Sequence, residues 1–332
     1  MKRYLVKIAA GERLDEAEAA AAMGLIMDGQ ATPAQIAGLL MALAVRGESE
    51  DEIVGFARTM RLRAVQLRSS EAVDTCGTGG DRAGTFNIST VASLVVAACG
   101  VQVAKHGNRS ASGTCGSADL VEALGLRIDA PPETVQRSLD EVGWGFLFAP
   151  TFHASMRHAI GPRKELGVRT AFNLLGPLTN PAFPVAQVVG VPRPELAEPM
   201  ARCLARLGVG RAWVVHGSGL DEISLSGPTL VAALEDGAVR RFTVTPQEVG
   251  LTPCQPAELR GRDRIENAAM ARAILHGVKG PRRDVVLLNA AAALVVASRA
   301  PDLRDGVTQA AAAVDDGRAA SLLERAKEAS QP

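Results

Sequence analysis

Between Asp74 and Asp119 the chain reads DTCGTGGDRAGTFNISTVASLVVAACGVQVAKHGNRSASGTCGSAD. Polar clusters stand at Gly77–Asp81, Asn87–Thr90, Lys105–Arg109 and Gly116–Asp119, all but the second bearing glycine, with apolar runs of strand or helix length among them. Glycine lets the backbone turn with positive φ and approach a ligand closely. Hydroxyls, amides and free N–H groups at helix starts attract phosphate oxygens. The segment reads as strand–loop–helix units carrying a phosphate-rich substrate site.

Working outward, β-rich runs at Ala72–Thr75, Val101–Ala104, Gly145–Phe148, Gln187–Val191 and Ala212–His216 alternate with helical stretches. That alternation predicts an α/β fold with a mostly parallel sheet flanked by helices. Ligands in such sheets bind beyond the carboxyl ends of the strands. The Gly77, Lys105 and Gly217–Glu222 loops each follow a strand and are expected on one edge. Thr229–Leu234 and Val239–Val244 predict a hairpin around Asp236-Gly237.

Residues 14–67 read as a small all-helical unit. Thr32-Pro33 is an N-cap with proline at the first helical position. Ile36, Leu39, Leu40 and Leu43 then share one helical face. Ser49-Glu50-Asp51-Glu52 is a capping box. We expect a helical domain over 1–68, joined by part of 162–182, and a larger α/β domain over 69–332. Residues 162–181, with three prolines, show too little periodicity to place.

Composition narrows the functional classes. Lys+Arg and Asp+Glu both count 36 in 332 residues, so no global field attracts nucleic acid. Five scattered cysteines lack CxxC spacing, which signals neither zinc nor a disulfide framework. No apolar run reaches the ~20 residues a membrane-spanning helix needs. A soluble, cytoplasmic protein with no nucleic-acid or membrane partner is expected.

Gly77–Asp81 is not a Walker A loop, because no Gly-Lys-Ser/Thr follows. Nor is it a dinucleotide fingerprint: Arg82 stands where the third glycine belongs, and the acidic residue about twenty positions on is missing. Asp221-Glu222 places two hard oxygen ligands on a glycine-flanked loop, a set suited to Mg²⁺. Two adjacent acids alone are more often a solvated turn, and only their place on the ligand edge argues otherwise.

GTGGD at 77–81, NIST at 87–90, KHGNR at 105–109, GSAD at 116–119, GPRKELGVRT at 161–170 and FNLLGPLTNP at 172–181 together resemble the anthranilate phosphoribosyltransferase family. So does the Asp221-Glu222 pair. The resemblance runs from the N-terminal helices to the last helix. It implies transfer of the phosphoribosyl group from 5-phosphoribosyl-1-diphosphate to anthranilate in tryptophan biosynthesis. Alternatives of the same fold are a pyrimidine nucleoside phosphorylase and a non-catalytic nucleic-acid-binding relative.

By the same resemblance, phosphoribosyl-diphosphate contacts fall on Gly77, Gly80, Asp81, Thr85, Asn87, Ile88, Ser89, Thr90, Lys105, His106, Gly107, Asn108, Arg109, Ser110, Ala111, Ser112, Gly113 and Ser117. Anthranilate falls to Gly77, Asn108 and Arg163, and metal to Ser89, Asp221 and Glu222, with two Mg²⁺ ions per site. A homodimer through the helical domain is also implied. His106 is expected to position substrate without exchanging a proton, because an aromatic amine is already neutral at pH 7. Arg82, Gly113 and Cys115 depart from the family pattern, which usually has glycine at the first and serine at the other two. His153 and Met156 fit either a substrate channel or core packing.

Overall fold

The computed structural model describes residues 1–69, 71–110 and 115–331. Four helices come first: α1 (Lys2–Ala9), α2 (Glu16–Met27), α3 (Pro33–Arg46) and α4 (Glu50–Arg63). The last three start on reciprocal capping boxes, Asp15 with Glu18, Thr32 with Gln35 and Ser49 with Glu52. Met23, Ile26, Leu39, Leu43 and Phe56 fill their shared core. Glu52 does more than cap. Fully buried, it accepts from the Leu14 amide at 3.0 Å and pairs with Arg46 at 2.5 Å. Helix α1 was not expected from the sequence; it docks through buried Tyr4 and Ile8.

The remainder runs β1 (Val73–Gly77), α5 (Ile88–Ala98), β2 (Val103–Gly107), α6 (Ser117–Ala123), α7 (Pro132–Val142), β3 (Trp144–Phe148), α8 (Ala149–Phe152), α9 (Arg157–Leu166), α10 (Phe172–Leu175), β4 (Ala186–Gly190), α11 (Ala197–Arg206) and β5 (Arg211–Gly217). It closes with β6 (Thr229–Glu235), β7 (Ala238–Val244), α12 (Arg264–Leu275), α13 (Pro281–Val296), α14 (Leu303–Asp315) and α15 (Arg318–Ala329). The sheet order is β3-β2-β1-β4-β5-β6-β7, parallel from β3 to β5 and antiparallel beyond. The expected hairpin turns at Asp236 (φ 51°) and Gly237 (φ 75°), both left-handed, as a tight primed turn requires.

Alternate strand residues face opposite layers. Val188 and Val215 join a core covered by α5, α13 and α14, whereas Val189 and Val214 join the core shared with the helical bundle and α11. The proline-rich stretch resolves as α9 and α10. α9 packs on α2 and α3, and α10 on α4. Arg61 of α4, 4% exposed, donates to the carbonyls of Leu178 and Leu207 at 2.6 and 2.9 Å. Among the described residues, no helix is long and apolar enough to cross a membrane.

Candidate active site

β1 and β4 end side by side, with Gly77 opposite Gly190 in parallel register. The loop after β5 folds back over both. A β-carbon at Gly77 would overlap the Asp221 carboxylate, and one at Gly190 would overlap the Asp221 backbone. Glycine at both positions is therefore what lets Asp221 lie on the sheet's carboxyl edge. Gly79 N–H donates to Asp221 Oδ2 at 2.7 Å, and Thr78 N–H to Gly190 O at 2.9 Å. Gly190 carried no signal in the sequence, because its partner lies thirty-one residues on.

The acidic pair is more deeply set than a solvated turn. Burial first, then repulsion from Asp81, pushes the Asp221 carboxyl up; burial and then Asp221 do the same to Glu222. Glu222 Oε1 accepts from the Ser89 amide at 3.1 Å. The α5 start was expected to offer its amides to phosphate; in the structure Glu222 is the anion that takes the Ser89 amide. Asp81 closes the group, with Oδ2 3.4 Å from the Asp221 amide. Crowded, half-buried carboxylates are stabilised by a divalent cation, so the donors fit Mg²⁺, with the Ser89 hydroxyl beside them.

Lys105 and His106 do not stand in a loop. They are the third and fourth of the five residues of β2, which runs on to Gly107, and their side chains find partners inside the fold. Lys105, 2% exposed, donates through Nζ to Thr75 O, and its charge acts on both Asp74 and Glu222. His106 Nδ1 lies 3.3 Å from Gly176 O, and its ring stands 5.2 Å from that of His153. Burial, then His153, lowers the His106 pKa to about 3; burial lowers that of His153 to about 4. Both imidazoles are neutral near pH 7. His106 Nε2 and both His153 ring nitrogens are buried without a hydrogen-bond partner among the described residues.

Other expected residues gather nearby in supporting contacts. Asn87 Nδ2 donates to Cys115 O at 3.0 Å, and its Oδ1 accepts from Asn267 at 3.2 Å. Thr85 pairs with Arg260 in a β-bridge. Ile88 and Thr90 are buried in the first turn of α5. Gly107 lies so close to Ser117 Oγ and Phe146 that no β-carbon fits, and Ser117 Oγ accepts from Asn108 N–H at 3.2 Å. Arg109 is held in ion pairs with Asp119 and Glu122, both at 2.8 Å, and the Ser110 amide donates to Asp119. Ala111, Ser112 and Gly113 lie outside the described residues.

Arg163 occupies the last turn of α9, its guanidinium 4.8 Å above the Phe172 ring. No carboxylate lies within ion-pair distance of it among the described residues, Glu165 included. Burial lowers its pKa, although a guanidinium keeps its charge. A half-buried, unpaired cation stacked on an aromatic ring is suited to an aromatic acid. Arg169, within a quoted motif but not singled out from it, lies against Gly80.

Family models match most of the chain. Residues 69–320 match "Glycosyl transferase family, a/b domain", and residues 2–64 match "Glycosyl transferase family, helical bundle domain". An anthranilate phosphoribosyltransferase of Moorella thermoacetica is 56% identical over 327 residues, 98% of this chain and 96% of the relative. The enzyme of that name from Symbiobacterium thermophilum is 54% identical over 99% of this chain and 97% of its own. The chain belongs to the anthranilate phosphoribosyltransferase family. Its fold is that of the Thermus thermophilus anthranilate phosphoribosyltransferase, with a TM-score of 0.94, 48% identity and 99% of each chain covered. The Saccharomyces cerevisiae family member, solved in complex with PRPP and Mg, matches at a TM-score of 0.90 and 26% identity over 99% of this chain and 97% of that one. Neither a phosphorylase nor a nucleic-acid-binding relative is favoured by these matches.

Proposed function

We propose that this chain transfers the phosphoribosyl group of 5-phosphoribosyl-1-diphosphate to the amine of anthranilate, releasing diphosphate, as a step of tryptophan biosynthesis. The amine attacks the ribose C1 as the C1–O bond to diphosphate breaks. The observation that carries this reading is the presence of a half-buried acid cluster, Asp81, Asp221 and Glu222, together with the unpaired Arg163 over Phe172. One half suits a metal-bound diphosphate and the other an aromatic carboxylate.

Asp221, Glu222 and Ser89 would hold Mg²⁺, two ions in all, which when bound offset the charge of the diphosphate. The glycine turn at 77–80 brings backbone close to the substrate, and Asn87–Thr90, Lys105–Gly113 and Ser117 surround the phosphoribosyl moiety. Gly77, Asn108 and Arg163 orient anthranilate. His106 stays neutral because it is buried, which supports a positioning role and not proton transfer.

Residues 1–68 with part of 162–182 act as one domain and 69–332 as the other, closing over substrates to exclude water. A homodimer through the helical bundle is supported by exposed Val6, Val45 and Leu62. All five cysteines are free thiols, in keeping with a reducing cytoplasm. The test is loss of anthranilate fluorescence when the purified chain meets anthranilate, 5-phosphoribosyl-1-diphosphate and Mg²⁺. No turnover overturns the reading.

A further inference from the structure

Arg169 stands between α9 and α10, and its guanidinium rests on Gly80 in the glycine turn. A β-carbon at Gly80 would fall on Arg169 Nη1, which shows how closely the guanidinium lies on the turn, and the φ of +90° is what favours glycine there. Next along the turn, Arg82 is held at φ 57°, a conformation that a glycine would relax. Neither arginine has a carboxylate within ion-pair distance among the described residues. Arg193, in the loop after β4, pairs with Glu195 at 3.6 Å, both side chains well exposed.

These groups bring both signs of charge to the turn. Burial first lowers the Arg169 guanidinium from its usual range; Asp221 and Asp81 pull it up, and Arg193 and Arg82 push it down. Asp81, Asp221 and Glu222 are the acids near the turn, and Arg82, Arg169 and Arg193 the bases. Charges of both signs gathered around a strained loop suit a ligand that carries both signs. A divalent cation with a diphosphate carries both signs in one body. A lone carboxylate does not, and Arg163 over Phe172 already suits that group.

We propose that Arg169 is a diphosphate ligand, its planar fork taking phosphate oxygens at the glycine turn, with Arg82 and Arg193 drawing the polyanion in. This rests on the phosphoribosyl reading above. The guanidinium geometry matches phosphate oxygens two at a time, and lysine offers only a point charge. Arg82 and Arg193 lie further out and act through the field, which salt screens.

The test is calorimetric titration of the full chain with inorganic diphosphate and Mg²⁺, alongside steady-state kinetics. Arg169→Gln should weaken diphosphate binding and raise KM for 5-phosphoribosyl-1-diphosphate by about tenfold or more, the loss of a charge-assisted hydrogen bond. Arg169→Lys should recover part of this, and KM for anthranilate should stay within about twofold, because Arg169 is assigned no contact with it. Arg82→Gly should keep the wild-type melting temperature or exceed it, with weaker diphosphate binding at low salt and a difference that vanishes at high salt. It carries the test should Arg169→Gln fold poorly: unchanged low-salt affinity in Arg82→Gly then counts against the proposal. Unchanged diphosphate affinity in folded Arg169→Gln, or a shift confined to anthranilate KM, overturns it. A wild-type chain that binds diphosphate but turns nothing over overturns the phosphoribosyl reading and leaves the Arg169 measurement standing.

Discussion

Three side chains set the behaviour at residue scale: Arg163, His106 and His153. Arg163 has lost part of its hydration to Phe172 and gained no counterion, so it is poised to bind a carboxylate. Arg163→Ala should raise KM for anthranilate by about ten- to hundredfold, the equivalent of ~1.5–3 kcal/mol, with KM for the phosphoribosyl donor little changed. Steady-state kinetics with each substrate varied in turn checks this. His106 and His153 make the second prediction. Their folded pKa values, about 3 and about 4, lie below the usual 6.5. The unfolded chain therefore takes up protons first as pH falls. Stability is full above about pH 6.5 and declines towards pH 4, by up to ~1.4 kcal/mol per pH unit for each histidine. Denaturant unfolding at pH 7 and pH 5 should show that slope, and His153→Asn should flatten it. Equal slopes in both proteins would contradict the burial argument.

At the scale of elements, the glycine-rich clusters of Asp74–Asp119 were legible because phosphate-binding backbone needs glycine and hydroxyls close together in sequence. Capping boxes were legible for the same reason. What escaped is what depends on distant partners. Gly190 is fixed by Asp221, and His106 is drawn into β2 by Gly176, seventy residues away. α1 lacks a side-chain cap and owes its place to packing on the bundle. The ion pairs that Arg109 makes with Asp119 and Glu122 of α6 likewise had no signal in its own loop. Gly190→Ala should push Asp221 off the strand ends, lowering kcat by more than tenfold with a modest change in melting temperature. Glu52→Ala should cost more stability than an ordinary cap: the buried carboxylate that holds the Leu14 amide and the partly exposed Arg46 is lost, at about 1–3 kcal/mol. A thermal melt within 2 °C or so of wild type would show that the Glu52 network contributes little.

Over the whole molecule, a seven-stranded sheet separates two cores, one shared with the helical bundle and one beneath α5, α13 and α14. The fold class was readable from the strand–helix alternation, since central strands such as β4 and β5 carry apolar residues to both faces. How the proline-rich stretch lies was not. Its path is set by Asn180, which donates to Asp74 and Ala104 O at 2.8 Å each, and by Gln187, which donates to Pro177 O at 3.0 Å. Those bonds fasten α10 and the turn after it to the strands that carry the site. The same stretch carries Arg163 and Arg169, so the bundle side of the cleft is tied to the acid pair. The most direct measurement follows anthranilate fluorescence in wild type and in Asp221→Asn/Glu222→Gln, with 5-phosphoribosyl-1-diphosphate and varied Mg²⁺. Wild type should consume anthranilate only when the donor and Mg²⁺ are both present, and the double variant should lose at least about a hundredfold in kcat/KM, ~2.7 kcal/mol. Anthranilate left unconsumed by wild type, or equal turnover by the double variant, would contradict it.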